Sequence, residues 1–181
     1  MKILMTFVSV MCLLWAGCSG GDNNSGQSKV PSENVPVMIP VSDLATWRFL
    51  GLGEVSVDAA EQALYMTETD GSKGITLVSP ESYGADFTLR FMVKPATFES
   101  VNVVMISASA KDTGGDFEIP RDYDGSFGFW TDGSVQDYVV AFHNAAHNRM
   151  PFITRNPGST LLVEGTSQSV DENWHQIEIE R

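Results

Sequence analysis

The chain contains only two cysteines, Cys12 and Cys18, and both lie near its N-terminus. The remaining sequence has no thiol with which to form a disulfide, so its fold must depend on buried apolar side chains and hydrogen bonds. Basic residues are also scarce, because 11 Lys and Arg stand against 23 Asp and Glu, which gives a net charge of −12. A chain this acidic is repelled by phosphate backbones, which argues against nucleic acid as a partner.

The N-terminal apolar run, Ile3–Trp15, is shorter than the roughly 20 residues that a membrane-spanning helix requires. A basic residue precedes the run and small residues follow it, so residues 1–17 are predicted to be a secretory signal peptide. The series Leu13–Cys18 resembles the bacterial lipobox, in which cleavage leaves a diacylated N-terminal cysteine. We therefore predict lipidation at Cys18, which would anchor the protein to a membrane of the bacterial cell envelope, on the periplasmic face or the cell surface. Because Trp15 departs from the small or aliphatic residue usual at its position, an ordinary signal peptide is the alternative.

Residues 18–46 are rich in Gly, Ser, Asn and Pro and have few large apolar side chains. Such a segment cannot bury enough surface to offset the entropy lost on ordering, which predicts a flexible tether. From residue 47 to residue 181, short apolar segments alternate with Gly, Pro, Asp and Ser. In the clearest segment, Asp86–Lys94, large apolar side chains occupy every second position, as in a strand with one buried face. Residues 47–181 are predicted to form one all-β domain, a sandwich or a barrel.

Side chains able to bind a ligand are concentrated in Tyr138–Gly158. The first part of this segment alternates as a strand, and a core on its aromatic face would point His143 outward. A polar turn and a second extended segment follow, ending at an Asn-Pro-Gly corner. The two neighbouring strands are predicted to bring together His143, His147 and Arg155, with Asn144 and Asn156 beside them.

The corner Arg155–Gly158, the apolar residues Leu161–Val163 with Gly165, and the segment Trp174–Ile179 resemble the YesU-like family of uncharacterised bacterial proteins. The resemblance covers residues 47–181. It implies the concanavalin A-like jelly roll, a two-sheet sandwich with a carbohydrate-facing groove, in proteins of polysaccharide use. Members of the family continue past the last strand into a further hairpin that this chain lacks. We therefore expect a C-terminally incomplete sandwich, the alternative being a sandwich that closes without those strands.

In such a groove, His143 or His147 can act as a general acid or base near neutral pH, while Arg155 can hold a sugar carboxylate through paired hydrogen bonds. The alternative is that these are ordinary polar residues, satisfied by backbone groups or water. The four-residue spacing of the two histidines suits a metal only on a helix, and the strand pattern argues against a zinc site. We predict neither a metal nor a cofactor.

Carboxylates on the last predicted strand are a second candidate. Glu178 and Glu180 share one face at a Cα spacing of about 6.5–7 Å. Their side chains could reach the separations that glycosidases use, which makes Glu178 a candidate catalytic residue. A solvated face on a terminal strand is the alternative.

An aromatic loop is the third candidate. Ser126–Thr131 is predicted to be a strand whose phenylalanines, Phe127 and Phe129, enter the core. Trp130 would then line the groove and stack on the apolar face of a sugar, unless it is itself a core residue. Tyr123 and Asp124 can bind sugar hydroxyl groups.

Together these features predict an exported lipoprotein whose jelly-roll domain binds or cleaves a polysaccharide or oligosaccharide. As an enzyme it would be a glycoside hydrolase or a polysaccharide lyase. The alternatives are a non-catalytic glycan-binding lipoprotein and a truncated, inactive relative. The expected partners are a carbohydrate and a membrane, the latter through Cys18.

Overall fold

The computed structural model describes residues 12–14, 37–81, 83, 86–133, 135–167 and 171–181. Cys18, the predicted lipidation site, lies outside these residues. So does most of the predicted signal peptide, together with the predicted tether up to residue 36.

The described residues form short strands joined by turns, with little helix. The strands, in chain order, are β1 Cys12–Leu14, β2 Val37–Ile39, β3 Arg48–Gly51, β4 Gly53–Asp58, β5 Ala63–Glu68, β6 Ile75–Val78, β7 Thr88–Val93, β8 Val101–Ala110, β9 Val135–Asn144, β10 Phe152–Asn156, β11 Thr160–Glu164 and β12 His175–Glu180. The helices are α1 Val41–Leu44 and α2 Gly128–Thr131, and Ala145–His147 is a single 3₁₀ turn. The predicted all-β class is confirmed.

All strand pairs are antiparallel. Strands β11, β10, β9 and β8 form a four-stranded sheet in that order, and β12 with β7, β3 with β6, β4 with β5 and β1 with β2 form two-stranded pairs. Antiparallel strands can follow one another through short turns, which fits the frequent Gly, Pro and Asp between the apolar segments.

The main core lies between the four-stranded sheet and the other strand pairs. Phe142 of β9 meets Phe91 of β7 edge to face, with ring centroids 5.7 Å apart. Ile179 of β12 and Leu64 of β5 belong to the same cluster. The alternation predicted for Asp86–Lys94 produces this packing, because Phe91 and Val93 are buried two positions apart. Two antiparallel layers thus face each other across one core, as in a sandwich. The jelly-roll strand order stays a prediction.

A second, smaller core lies beside the first residues of β9. Trp130 of α2 packs there with Leu50, Ile119 and Val135. The predicted strand Ser126–Thr131 is wrong, because Gly128–Thr131 is helical and Phe127, predicted to be buried, is 42 % exposed. Residues two apart do not share a face in a helical turn, so the strand alternation that would have buried Phe127 together with Phe129 does not apply, and Trp130 enters the second core.

The packed part of the chain begins before the predicted boundary at residue 47. Ile39 and Leu44 are 9 % and 1 % exposed and belong to the main core, although residues up to 46 are predicted to be tether. Composition predicted a tether because the segment as a whole has few large apolar side chains, but neighbouring strands cover the few that it does contain.

Candidate functional site

His143, predicted to point out of the core, is completely buried in β9. It pairs with Asn102 of β8, which is 1 % exposed and donates a hydrogen bond of 2.7 Å to the Ser100 hydroxyl. The prediction assumed that only the aromatic face of β9 is covered. Tyr138 and Phe142 lie on the aromatic face of β9. Val139 and Ala141 lie on the opposite face, together with His143, and each is 1 % exposed, so that face is covered too. The prediction of an outward-facing His143 is therefore wrong.

Arg155 does not lie beside His147. It pairs with Tyr138 and is exposed, whereas the His147 ring contacts Phe152, with centroids 4.9 Å apart. Phe152 stands three residues before Arg155 on β10, about 10 Å along the strand. An odd separation in a strand also places the two side chains on opposite faces. The predicted meeting of an imidazole and this guanidinium in one groove is wrong.

Asn156 has an internal partner instead of a ligand. Its side-chain amide donates a 2.7 Å hydrogen bond to Oδ1 of Asp137, and the two residues are 3 % and 2 % exposed. Burial raises the pKa of Asp137, and the hydrogen bond from Asn156 opposes that shift in part. Asn144 is half-buried at the end of β9, where its carbonyl accepts the Arg149 N–H at 2.8 Å.

Trp130 and Tyr123 form part of the second core rather than a groove wall. Trp130 is 3 % exposed, and its Nε1–H donates a 2.8 Å hydrogen bond to the Tyr123 hydroxyl. The Trp130 ring lies 5.0 Å from that of Phe129 and 5.9 Å from that of Phe117, in edge-to-face contacts. Burial raises the pKa of Tyr123. The core alternative for Trp130 is the one that the structure adopts.

The two predicted acidic residues are held in surface ion pairs. Asp124 accepts a 2.6 Å hydrogen bond from Lys73, which lowers the pKa of Asp124. Glu178 lies directly opposite Arg90 on β7, and the Arg90 hydrogen bond of 2.7 Å lowers the pKa of Glu178. A carboxyl group with a lowered pKa is ionised at neutral pH and is poorly suited to donate a proton. Ile179 of β12 enters the main core. Because neighbouring residues of a strand point to opposite faces, Glu178 faces outward from the strand pair β12–β7.

One predicted residue does lie at the surface among groups that could bind a ligand. His147 is 50 % exposed at its side chain, and its Nε2 lies 2.7 Å from Oε1 of Glu164, which is 42 % exposed. Phe152 packs against the same imidazole. Two residues further along, the Arg149 guanidinium lies 4.8 Å from the centre of the Phe98 ring. We call these five residues, Phe98, His147, Arg149, Phe152 and Glu164, the loop-end cluster.

The backbone holds the loop-end cluster at one end of the four-stranded sheet. The Ala145 N–H donates to the Ser100 carbonyl at 3.1 Å, which joins the turn after β9 to the turn before β8. The Gly165 N–H donates to the Pro151 carbonyl at 2.8 Å, which brings the end of β11 to the same place. Three separate segments therefore supply the cluster, and their spacing is set by hydrogen bonds between them.

The turn that supplies His147 and Arg149 has an uncommon backbone. Asn148 and Arg149 are consecutive left-handed residues, with φ of 53° and 58°. Asparagine tolerates this conformation better than most residues, but an arginine there carries some strain. Hydrogen bonds from Arg149 N–H to the Asn144 carbonyl and from Met150 N–H to the His147 carbonyl, at 2.8 and 3.1 Å, hold the turn closed. These bonds fix the backbone of both residues at the end of β9.

The arrangement combines an aromatic surface with hydrogen-bonding groups. Phe98 is 46 % exposed, so its ring remains partly open to solvent beside the guanidinium. The imidazole, carboxylate and guanidinium can donate to and accept from hydroxyl groups. Within the described residues, no group of three or more His, Cys, Asp and Glu side chains is arranged to hold a metal ion. No described helix has the length and apolar composition to span a bilayer.

Sequence reasoning missed four members of the loop-end cluster. Glu164 could have been found from the hairpin, because the corner after β10 places Phe152 opposite Glu164. Phe98 could not, since its loop is joined to the turn of His147 only through tertiary hydrogen bonds. No protein-family model, curated protein or solved structure matches the chain, so the likeness to the YesU-like family remains a resemblance of motifs.

Proposed function

We propose that this protein is an exported, lipid-anchored glycan-binding protein of jelly-roll type whose ligand binds at the loop-end cluster without being cleaved. The observation that carries the proposal is the exposed Phe98 ring, over which Arg149 lies at 4.8 Å, on the same turn as His147, which is hydrogen-bonded to Glu164. A sugar ring offers an apolar C–H face that packs on an aromatic ring, and hydroxyl groups that pair with planar polar side chains.

The dispersal of the predicted catalytic set favours binding over cleavage. His143 is buried, Arg155 lies on another face, and Glu178 is paired with Arg90 on the outer side of the other layer. Glycosidases require two carboxyl groups on either side of one bond, about 5 to 9.5 Å apart. Glu164 belongs to the four-stranded sheet and pairs with His147, whereas Glu178 belongs to the β12–β7 pair and is bound to Arg90, so nothing brings the two together as such a pair.

The signal-like N-terminus with Cys18, together with the acidic composition, supports the rest of the proposal. Lipidation at Cys18 would hold the domain at the bacterial envelope, where exported glycan-binding proteins meet their ligands. A net charge of −12 favours neutral glycans, or anionic ones held locally by Arg149 and His147.

A glycan array probed with the full chain carrying Cys18→Ser tests the proposal, and titration calorimetry would then measure the affinity for each hit. We expect Phe98→Ala to weaken binding at least about tenfold, a loss of about 1.4 kcal/mol. Phe127→Ala is the matched control, because Phe127 is 42 % exposed and lies outside the cluster. Equal affinities for the two variants would refute the placement of the ligand, and an array without hits would refute glycan binding.

The short contact between His147 and Glu164 favours one further candidate function. A carboxylate that orients an imidazole creates a general base or acid, as glycoside hydrolases or lyases would need. If the protein is an enzyme of this kind, product analysis with a bound glycan will show turnover that His147→Gln abolishes while affinity changes by only a few-fold. Absence of product from the parent protein decides for binding alone.

A further inference from the structure

Trp174 is a second exposed aromatic residue at the end of the sandwich where the loop-end cluster lies. Its side chain is 39 % exposed. It directly precedes β12, whose first residue, His175, pairs with Val93, the last residue of β7. Phe98 follows Val93 by five residues, which reach at most about 18 Å along the chain. Trp174 therefore stands beside the start of the loop that carries Phe98.

The turn that carries Trp174 is organised around one carboxylate. Asp171 accepts hydrogen bonds from the backbone N–H of Asn173 at 2.8 Å and from its side-chain amide at 3.0 Å. Oδ1 of Asp171 also lies 2.7 Å from Nε2 of His175. The contact with His175, followed by those with Asn173, lowers the pKa of Asp171 to about 2, so the carboxyl group is ionised at neutral pH. These contacts fix the backbone on both sides of Trp174.

The loop that carries Phe98 is held in a similar way. Pro95 and Ser100 are buried near its two ends. The backbone N–H and the hydroxyl of Ser100 both donate to the Thr97 carbonyl, at 3.3 and 2.9 Å, and the Glu99 N–H donates to the Thr97 hydroxyl at 3.2 Å. An aromatic side chain on a fixed backbone loses little conformational entropy when it binds a ligand. Phe98 and Trp174 are therefore both suited to act as rigid binding surfaces.

Strand alternation places Trp174 on the outer face of the β12–β7 pair. Ile177 and Ile179 of β12 pack in the main core, so the residues at even positions point away from it. On β7, Val93 is buried in the same core, and Lys94 by the same alternation points outward. The register continued by one residue places Lys94 opposite Trp174. The ammonium group of Lys94 thus adds a hydrogen-bond donor beside the indole ring.

We propose that the glycan site at the loop-end cluster extends to Trp174, and that its ligand is a chain of several sugars lying across both layers at this end of the sandwich. One sugar packs its apolar C–H face on Phe98 and another packs on Trp174, while Lys94 donates to an oxygen of the chain. The inference rests on the function proposed above and specifies the ligand as an oligosaccharide or polysaccharide rather than a single sugar.

The placement of the two rings favours a chain over a single sugar. Trp174 belongs to the β12–β7 layer, whereas Phe98 lies under Arg149, which follows a strand of the four-stranded sheet. Stacked layers are about 10 Å apart, so a ligand that touches both rings is longer than one sugar ring. Phe127, a third exposed aromatic residue among those described, lies near the first residue of β9, at the other end of that ten-residue strand. It therefore serves as a control outside the proposed site.

Titration calorimetry of the full chain carrying Cys18→Ser tests the extension, with the best-binding glycan of the array and its fragments from disaccharide to octasaccharide as probes. We expect Trp174→Ala to weaken binding of the octasaccharide at least about tenfold and that of the disaccharide less than about twofold. Phe98→Ala should weaken every fragment, and Phe127→Ala none. A Trp174→Ala effect that is absent, or equal at all lengths, would overturn the extension alone. An array without hits would refute the proposed function and the extension with it.

Acrylamide quenching of tryptophan emission gives a second measurement, on the conservative variant Trp174→Phe. Bound octasaccharide should shield from acrylamide a part of the emission that the parent protein has and Trp174→Phe lacks. Bound disaccharide should shield none of it, because it occupies only the loop-end cluster. Thermal melting would establish that both Trp174 variants fold. Shielding that persists in Trp174→Phe, or a bound octasaccharide that shields no emission of the parent protein, would show that the sugar chain does not reach Trp174.

Discussion

The buried carboxyl group of Asp137 makes the stability of the protein depend on pH in a direction opposite to most native carboxylates. Asp137 is 2 % exposed, and Oδ1 accepts the Asn156 amide hydrogen bond of 2.7 Å. Its Oδ2 accepts no hydrogen bond from the described residues. Burial therefore raises the pKa of Asp137 above its ordinary value of 3.8. The native state holds this proton more tightly than the unfolded chain does.

The sign of the effect follows from proton counting. Below the ordinary pKa of 3.8 both states carry the proton, and the stabilisation from this group is complete. As the pH rises, the unfolded chain releases its proton first, so the free energy of unfolding falls until the native state has ionised too. For one proton, the slope cannot exceed about 1.4 kcal/mol per pH unit.

Asp137→Asn removes the titration while keeping the shape and the carbonyl acceptor for Asn156. We expect its free energy of unfolding to approach that of the parent protein below pH 4 or so and to exceed it increasingly above that pH. Urea unfolding from about pH 3 to 8, followed by the fluorescence of the four tryptophans, measures both proteins. Other carboxyl groups, such as Asp124 and Glu178 with lowered pKa values, cancel in the difference.

A difference between the two proteins that is constant with pH, or that narrows as the pH rises, would refute this reasoning. Asp137→Ala serves as a second comparison. It leaves the buried Asn156 amide without its acceptor, which costs about 1–3 kcal/mol whatever the pH. Asp137→Asn removes only the titration, whereas Asp137→Ala also removes the hydrogen bond. Comparing the two variants therefore separates these contributions to the free energy of unfolding.

Two further substitutions test the packing by chemical denaturation. Gly125→Ala should destabilise the protein more than Gly71→Ala. The two glycines have similar φ, 87° and 85°, so the backbone strain is comparable, but only a Cβ added at Gly125 would overlap the Gly74 carbonyl. Similar losses for both would mean that the loops are not in close contact. Phe142→Ala should lower the free energy of unfolding by about 3–5 kcal/mol, because it removes the Phe91 contact from the main core. A loss below about 1 kcal/mol would indicate that the two layers do not pack through this residue.

Local pattern predicted the strands well, because alternation and turn composition act over a few residues. The segment Asp86–Lys94 became β7, and the two extended parts of Tyr138–Gly158 became β9 and β10. Prediction failed for Ser126–Thr131, where alternating aromatic residues suggested a strand. There the helical turn places Trp130 against Phe117 and Val135, a contact that depends on distant parts of the chain.

The candidate site could be predicted only in part. His147 was found from residue type, and its partner Glu164 follows from the hairpin register. Whether a polar residue in a strand is accessible depends on what covers each face. His143 and Asn156 are buried because the second face of β9 and β10 is also covered, which no periodicity in those strands reveals.

By itself, the sequence determined that this protein is acidic, has almost no cysteine and folds as short antiparallel strands around an apolar interior. These properties follow from composition and from the two-residue period of a strand. Only the tertiary structure decided which polar side chains reach solvent and which of them meet. Those outcomes depend on contacts between segments far apart in the chain, such as the hydrogen bond that joins Ala145 to Ser100 and sets Arg149 over Phe98.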